Sequence, residues 1–433
     1  MRLGEEIMKK TITGLLAILG LLTLYSSTSS ANEGSIAFVG ARIIDGTMAD
    51  PIEDGVVVIT DGRIRTVGPR SAVTVPAGAQ IIDVAGKTIM PGIINAHGHV
   101  GGTLGLEGGH YNTDNLLRQL GLYARYGVTT VNSLGGDEEQ GFALRNEQFD
   151  QSLDRARIYV AGSVVVGDSE AAIRAEVNRN ADMGANFIKV RIDDELGTAE
   201  KMPRNIFDAL VDQAHIRRLP VAAHLFYLDD AKYILNSGAD LVAHSVRDLP
   251  VDDEFIDLIN AKGVCYIPTL TREVSTFIYE SEPEFFSDPY FLKEAEPAIL
   301  EQLKSPERQT RMRNSRAAAG YKIALEVAMA NVKALNDGGV RIAMGTDTGP
   351  PARFQGYFEH MEMQMMVDAG MSPIEAIRAS TGVAADCMGI GNIGTLEPGK
   401  WGDLLVLDAN PAVDIANSKT ISSVWIAGNR VPD

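Results

Sequence analysis

Eight short runs rich in β-branched and small apolar residues recur through the middle of the chain, and helix-length amphipathic segments separate them. They are IINAHGHV, GVTTVNSL, RIYVAGSVV, FIKVRID, PVAAHLF, LVAHSV, VCYIPTL and RIAMGTD. Strands that alternate with helices build parallel sheets, because a crossover helix returns the chain to the same end of the sheet. Eight such units close a TIM barrel, and 433 residues with 45% apolar content can fill one. The expected fold is α/β, a (β/α)8 barrel over residues 90–392.

Both ends of the chain have a different texture. GSIAFVGARIIDG, GVVVITDGRIRTVGP and AQIIDVAGKTIMPG, then GTLEPGKWGDLLVLD and ISSVWIAGNRV, read as short strands broken by Gly, Asp and Pro. The expectation is one small β-sandwich built from residues 32–89 and 393–433. Inside the barrel, the stretch from Thr271 to about Ala319 is extra, charged and partly helical. It follows the seventh strand and so emerges where active sites of this fold lie. A lid or substrate-binding wall is the expected use, with homo-oligomer contacts as the alternative.

Lys9 and Lys10 precede the apolar run ITGLLAILGLLTLY, which leads into Ser29-Ser30-Ala31. That is the three-part pattern of a secretory signal peptide over residues 1–31, with an apolar core short for a membrane span. Glu5 and Glu6 depart from the charge pattern, which fits Met8 as initiator; an uncleaved anchor helix is the alternative. Export to a periplasm or the exterior is expected, with no stable membrane span once the signal is removed. No cysteine follows the run, which argues against a lipid anchor, and Cys265 and Cys387 can form one pair at most. A net charge of −18 disfavours nucleic acid, whose phosphates need clustered Lys and Arg. The expected partner is a small molecule or short peptide.

His97 and His99 stand two apart at the end of the first run, so both imidazoles project from one face of a strand toward one point. Lys189 lies in the fourth run, His224 in the fifth, His244 in the sixth, and Asp347 ends the eighth. Six metal-competent or metal-bridging groups thus converge on the C-terminal rim of the barrel. In FIKVRID, Lys189, Arg191 and Asp193 alternate with Ile188, Val190 and Ile192, which turns the charged set to one face. A buried ammonium there is relieved either by Asp193 or Asp194, or by loss of its proton and reaction of the amine with carbon dioxide.

With these features the chain resembles the amidohydrolase superfamily, near its prolidase-like and imidazolonepropionase-like members. The resemblance rests on PGIINAHGHV, the strand-four lysine, VAAHLF, LVAHSV, MGTDTG, EHMEMQMMVDAGMSPIEAIRAST and GTLEPGKWGDLLVLD. It implies that His97, His99 and Asp347 bind one divalent metal ion and His224 and His244 a second, bridged by carboxylated Lys189. Zinc is the favoured ion. Deaminases of the superfamily carry a glutamate soon after the strand-five histidine. Here Leu225, Phe226, Tyr227, Leu228 and Asp229 follow, which points away from a mononuclear deaminase.

The implied activity is hydrolysis of a C–N bond, in a dipeptide or N-acyl amino acid, by a metal-bridging hydroxide. Asp347 would act as general base and then general acid, and Tyr227 would donate to the oxyanion. Arg191, Arg247 and Arg272 are candidates for a substrate carboxylate, each with a neighbouring acid as alternative partner, such as Asp248 for Arg247. His360 resembles a family position near the substrate, and His110 sits in a Gly-rich loop read as a pocket wall. The same apparatus would serve a lactonase, an esterase or a cyclic amidase. From another class, a catalytically dead exported binding module is the alternative, against which the full ligand set argues.

Overall fold

The computed structural model describes residues 34–432, so the signal peptide expected at 1–31 lies outside the described residues. Parallel pairing organises the middle of the chain. Ile93–Gly98, Val128–Ser133 and Arg157–Val160 form a three-stranded parallel sheet in that order. Ile188–Arg191, Val221–His224, Leu241–Ala243 and Cys265–Ile267 form a four-stranded one. Single parallel bridges lead onward: Val165 to Val190, Tyr266 to Ile342, and Gly98 to Thr348. The eighth run, RIAMGTD, is therefore held by isolated bridges and not by a ladder. Its end turns left-handed at Asp347, with φ of 57°, which breaks extended pairing.

Helices follow the strands as the amphipathic segments require. Asp253–Lys262 shows why they begin and end where they do. The Asp252 side chain accepts from the Phe255 amide, Gly263 closes the helix in the left-handed region, and Phe255 and Ile259, four apart, are buried. Ile188, Val190 and Ile192 enter the same large apolar core as these helices.

The two ends of the chain do meet, in one hydrogen-bonded sheet of eight strands. Thr88–Pro91 runs antiparallel to Leu404–Leu407, with Leu404 opposite Pro91 and Leu407 opposite Thr88. Along Ile52–Thr60, Val57 and Ile59 face one apolar cluster with Phe38 and Trp425, while Val56 and Val58 face another with Ala37. Alternate residues point to opposite faces of a strand, so this sheet is apolar on both. A fully buried ion pair, Arg157 with Asp403 at 2.6 Å, ties it to the third parallel strand.

The stretch after the seventh strand folds into short helices, including Leu270–Ser275, Pro289–Leu292, Pro297–Leu303 and Pro306–Arg313. Phe285, Phe286 and Phe291 give it an aromatic core shared with Tyr126, Tyr357 and Phe358. It packs on the helix Tyr357–Asp368, the element that follows the eighth run.

Candidate metal centre

His97 is fully buried at the end of the first parallel strand, and its Nε2 lies 3.2 Å from Lys189 Nζ and 3.8 Å from Asp347 Oδ1. His99 Nε2 is 2.8 Å from the same Asp347 oxygen. His97, His99 and Asp347 each offer a ligand atom, all within 4.8 Å of one another. The ring of His244 is 4.5 Å from that of His97 and 4.1 Å from that of His224, centre to centre. All six groups that the sequence placed on five of the runs are thus gathered in one chain of contacts.

Local backbone aims them. His244 and Asp347 both have positive φ, 86° and 57°, a conformation that non-glycine residues hold only where the surroundings impose it. Gly349 allows the eighth run to close on the first: a Cβ there would fall 2.1 Å from the His99 carbonyl. Below the histidines, Asn95 donates to Thr346 Oγ1 at 2.8 Å and to Glu359 Oε1 at 2.7 Å, while Thr346 and Thr348 donate to the same carboxylate. One helical turn on, Glu362 accepts from the amides of Leu270 and Thr271. Two glutamates of one helix therefore fix the ends of three strands.

The electrostatics suit cation ligands. Burial holds His97 and His244 well below the usual imidazole range, so both are neutral, the form that ligates metals. Burial likewise takes His224 down to about 4, against the pull of Asp193, whose Oδ2 lies 3.3 Å from its Nε2. Burial alone would raise the Asp347 carboxyl; Arg353, His99 and His97 outweigh it and keep it well below the carboxylate range. His99 Nδ1 faces the Gly135 carbonyl at 2.8 Å and must donate to it. Its Nε2 then faces the Asp347 carboxylate oxygen across 2.8 Å, and His97 Nε2 lies 3.8 Å from that same oxygen. The donor set fits a divalent cation at His97, His99 and Asp347.

Several sequence-based assignments need correction. Lys189 makes no ion pair with Asp193 or Asp194 among the described residues: Asp193 is taken by His224, and Asp194 accepts from the Tyr227 hydroxyl at 2.7 Å. Arg247 pairs with the buried Glu273 at 3.2 Å and not with Asp248, which caps Leu228. Arg272 also contacts Glu273, at 3.1 Å, stacks on Tyr321, and comes within 4.0 Å of Asp347. Arg191 is held by Glu195 at the half-exposed rim. His360 does not offer a ring nitrogen to a substrate: Nδ1 engages Ser418, and Nε2 engages the Tyr126 carbonyl and the Tyr290 hydroxyl. His110 is half-exposed near Glu107, 3.9 Å away.

Arg353, Glu273, Glu359 and Glu362 escaped the sequence reading. They come from loops and helices whose spacing bears no relation to the strand ends. The available hint was the pair of acids in EHMEMQ, three apart on a methionine-rich helix.

The amidohydrolase family model matches residues 88–431, a span that holds every residue of this centre. The chain belongs to the amidohydrolase family. Imidazolonepropionase of Streptomyces griseus subsp. griseus is 24% identical to this amidohydrolase over 420 residues, covering 94% of this chain and 100% of the relative. An uncharacterized protein of Mycobacterium tuberculosis (strain ATCC 25618 / H37Rv) is 28% identical over 222 residues, and the match spans 49% of this chain and 56% of that protein. Among solved structures, a Xaa-Pro dipeptidase with methionine bound in its active site superposes with a TM-score of 0.74 at 20% identity, covering 92% of this chain and 100% of that one. That likeness speaks for the fold, an α/β fold on a TIM barrel, to which the parallel ladders of this amidohydrolase correspond.

Proposed function

We propose that this amidohydrolase is a metal-dependent hydrolase that cleaves the C–N bond of an N-acyl amino acid or dipeptide-like substrate. The observation that carries the reading is the Lys189 amine. It is buried against His97, and no carboxylate lies within ion-pair range of it among the described residues. Burial pushes it down to about 7, so a large share is uncharged near neutrality. That free amine can bond to the carbon of carbon dioxide and release one proton, which leaves an anionic carbamate on the lysine.

His97, His99 and Asp347 would hold one divalent cation, His224 and His244 a second, and carboxylated Lys189 would bridge them; imidazole and carboxylate donors suit zinc. Bound there, such ions supply acidification of water and polarisation of the substrate carbonyl. Asp347, kept ionised by Arg353, takes the proton of the attacking water and delivers it to the departing nitrogen. Tyr227 would donate to the developing oxyanion after leaving Asp194.

The same proposal assigns residues 90–392 to the barrel and 32–89 with 393–433 to a sandwich, supported by the separate apolar clusters of the terminal sheet. It also includes export. Lys9, Lys10 and the apolar run support that reading, as does the Cys265–Cys387 disulfide, a bond that persists in oxidising compartments. No helix among the described residues is long and apolar enough to cross a membrane.

Two measurements test the function: metal content after chelator-free purification, and rates on a panel of N-acyl amino acids, dipeptides, esters and lactones. About two metals per chain and amide cleavage are expected. Activity confined to esters and lactones would overturn the bond type, and near-zero metal would overturn the mechanism.

A further inference from the structure

We propose that residues 194–200, the loop between the fourth strand and the helix Arg204–Ile216, form a strap over the His224–His244 half of the centre, pinned by Leu196, which lifts to admit a substrate. The proposal concerns access and holds for whichever bond the centre cleaves.

The two halves of the centre differ in cover. His97, Lys189, His244 and Asp347 are buried. His99 keeps 27% of its side chain exposed and His224 only 13%. The ligand atom of His224 is itself buried: its Nε2 faces Asp193 Oδ2 at 3.3 Å, and Asp193 is the residue from which the strap departs. An imidazole sealed in this way meets no substrate until something moves.

The strap is held in a conformation that its sequence does not favour. Glu195, Leu196 and Gly197 have φ of 49°, 59° and 81°, three left-handed residues in succession. Only glycine takes that conformation freely, so contacts impose it on the other two. Arg191 pairs with Glu195, the Tyr227 hydroxyl donates to Asp194 at 2.7 Å, and the Thr198 and Ala199 amides return to the Asp194 carbonyl at 2.9 Å. Leu196, the one large apolar side chain of the segment, packs in a cluster with Phe226, Tyr227, Tyr321 and Ala324. A Cβ on Gly320 would lie 3.1 Å from its Cδ1. Gly320, Tyr321 and Ala324 belong to the helix Arg316–Asp337, which follows the seventh strand. The segment therefore leaves strand four and fastens on an element beyond strands five and six, with Phe226 and Tyr227 from the end of strand five against it.

The insertion after the seventh strand is a poorer moving part. Phe285, Phe286 and Phe291 share a buried aromatic core with Tyr126, Tyr357 and Phe358, and lifting them would expose several rings at once. Lifting the strap exposes Leu196, breaks one ion pair at a half-exposed rim and releases one hydroxyl. Segments that open during function are drawn from those with little buried apolar surface. Opening also relieves the left-handed strain and frees Tyr227 from Asp194, so access and release of that hydroxyl are one event.

The test fastens the pin. In Leu196→Cys/Gly320→Cys the introduced thiols are the only free ones, because Cys265 and Cys387 are paired with each other, and dibromobimane joins neighbouring thiols irreversibly. Modification of each histidine by diethyl pyrocarbonate is then followed by mass spectrometry on the whole chain stripped of metal, with the double variant before cross-linking as reference. Cross-linking is expected to slow His224 by about tenfold or more and to leave the half-exposed His110 and His215 unchanged. Unchanged reactivity of His224 overturns the proposal, and so does equal slowing at all three, which marks a general stiffening. Should the double variant fail to fold, Leu196→Ala decides by the opposite sign: faster modification of His224 upholds the strap, and a rate no faster than wild type overturns it. On the zinc-loaded enzyme, cross-linking is expected to lower kcat/KM about 100-fold for any substrate that the wild type cleaves, and a change smaller than about threefold overturns the proposal. If no amide is cleaved the amide-hydrolase reading falls, and His224 modification still decides the strap.

Discussion

The Lys189 amine lies 3.2 Å from His97 Nε2, a buried nitrogen facing a buried nitrogen at the floor of the centre. Two basic groups in contact inside a protein disfavour each other's charge, and nothing in hydrophobic packing calls for them. Their pairing makes sense when both are ligands. Lys189→Ala is therefore expected to lower activity by about 100-fold or more and to bind less metal than wild type. Metal analysis and steady-state rates check this, and partial recovery with a short-chain carboxylic acid would show that the missing group is an anionic oxygen donor. Full activity of the variant would remove Lys189 from the centre.

His360 supplies a prediction about pH. Burial lowers it to about 4, while an unfolded histidine titrates near 6.5. A group depressed in the fold binds fewer protons there than in the unfolded chain, so stability falls as the solution is acidified from pH 6.5 toward 4. By pH 5 the loss amounts to about 2 kcal/mol. Denaturant unfolding at pH 8 and pH 5 should show this excess acid sensitivity in wild type and less of it in His360→Gln. An unchanged difference between the two pH values would exclude His360 as its source.

The strand ends were legible because each carries a chemically unusual side chain on a run whose period is otherwise apolar. Period-two alternation correctly sent Lys189 and Asp193 inward, yet it could not choose the partner of Asp193. That depends on where His224 arrives from the next strand. Arg353 and Glu273 were invisible for a related reason. An arginine in PPARFQG and a glutamate in TREV look like solvated loop and helix charges until Arg353 meets Asp347 and Ser275 and Glu273 is buried against Arg247. The eighth run was legible as an element but not as isolated bridges, because left-handed Asp347 is held by its contacts with His99 and Arg353 and not by local propensity. Likewise a two-cysteine chain gives no hint of pairing, since Cys265 and Cys387 are 122 residues apart.

That disulfide joins the seventh parallel strand to the helix Gly382–Cys387, late in the chain. Closing so long a loop restricts the unfolded ensemble, by up to about 5 kcal/mol in the chain-entropy picture. Cys265→Ala/Cys387→Ala is expected to unfold at lower denaturant, and added reductant should shift wild type toward the double variant without affecting the variant itself. Coincident unfolding curves for all three would show that the bond contributes nothing.

Arg157 and Asp403 test how the terminal sheet is fastened. Both are buried, 2.6 Å apart; Asp403 also accepts from the Ala427 amide, and Arg157 lies over the Trp401 ring at 4.9 Å. Removing one charge strands the other in a buried site, which costs about 3–5 kcal/mol. Arg157→Met is therefore expected to be strongly destabilising. In Arg157→Met/Asp403→Asn the amide oxygen can still serve Ala427 and no charge is stranded, so the double variant should recover about half of the loss or more. Equilibrium unfolding of the four members of the cycle measures this. If the single losses simply add, the pair is not coupled, and the sheet is held to the third parallel strand by its apolar contacts alone.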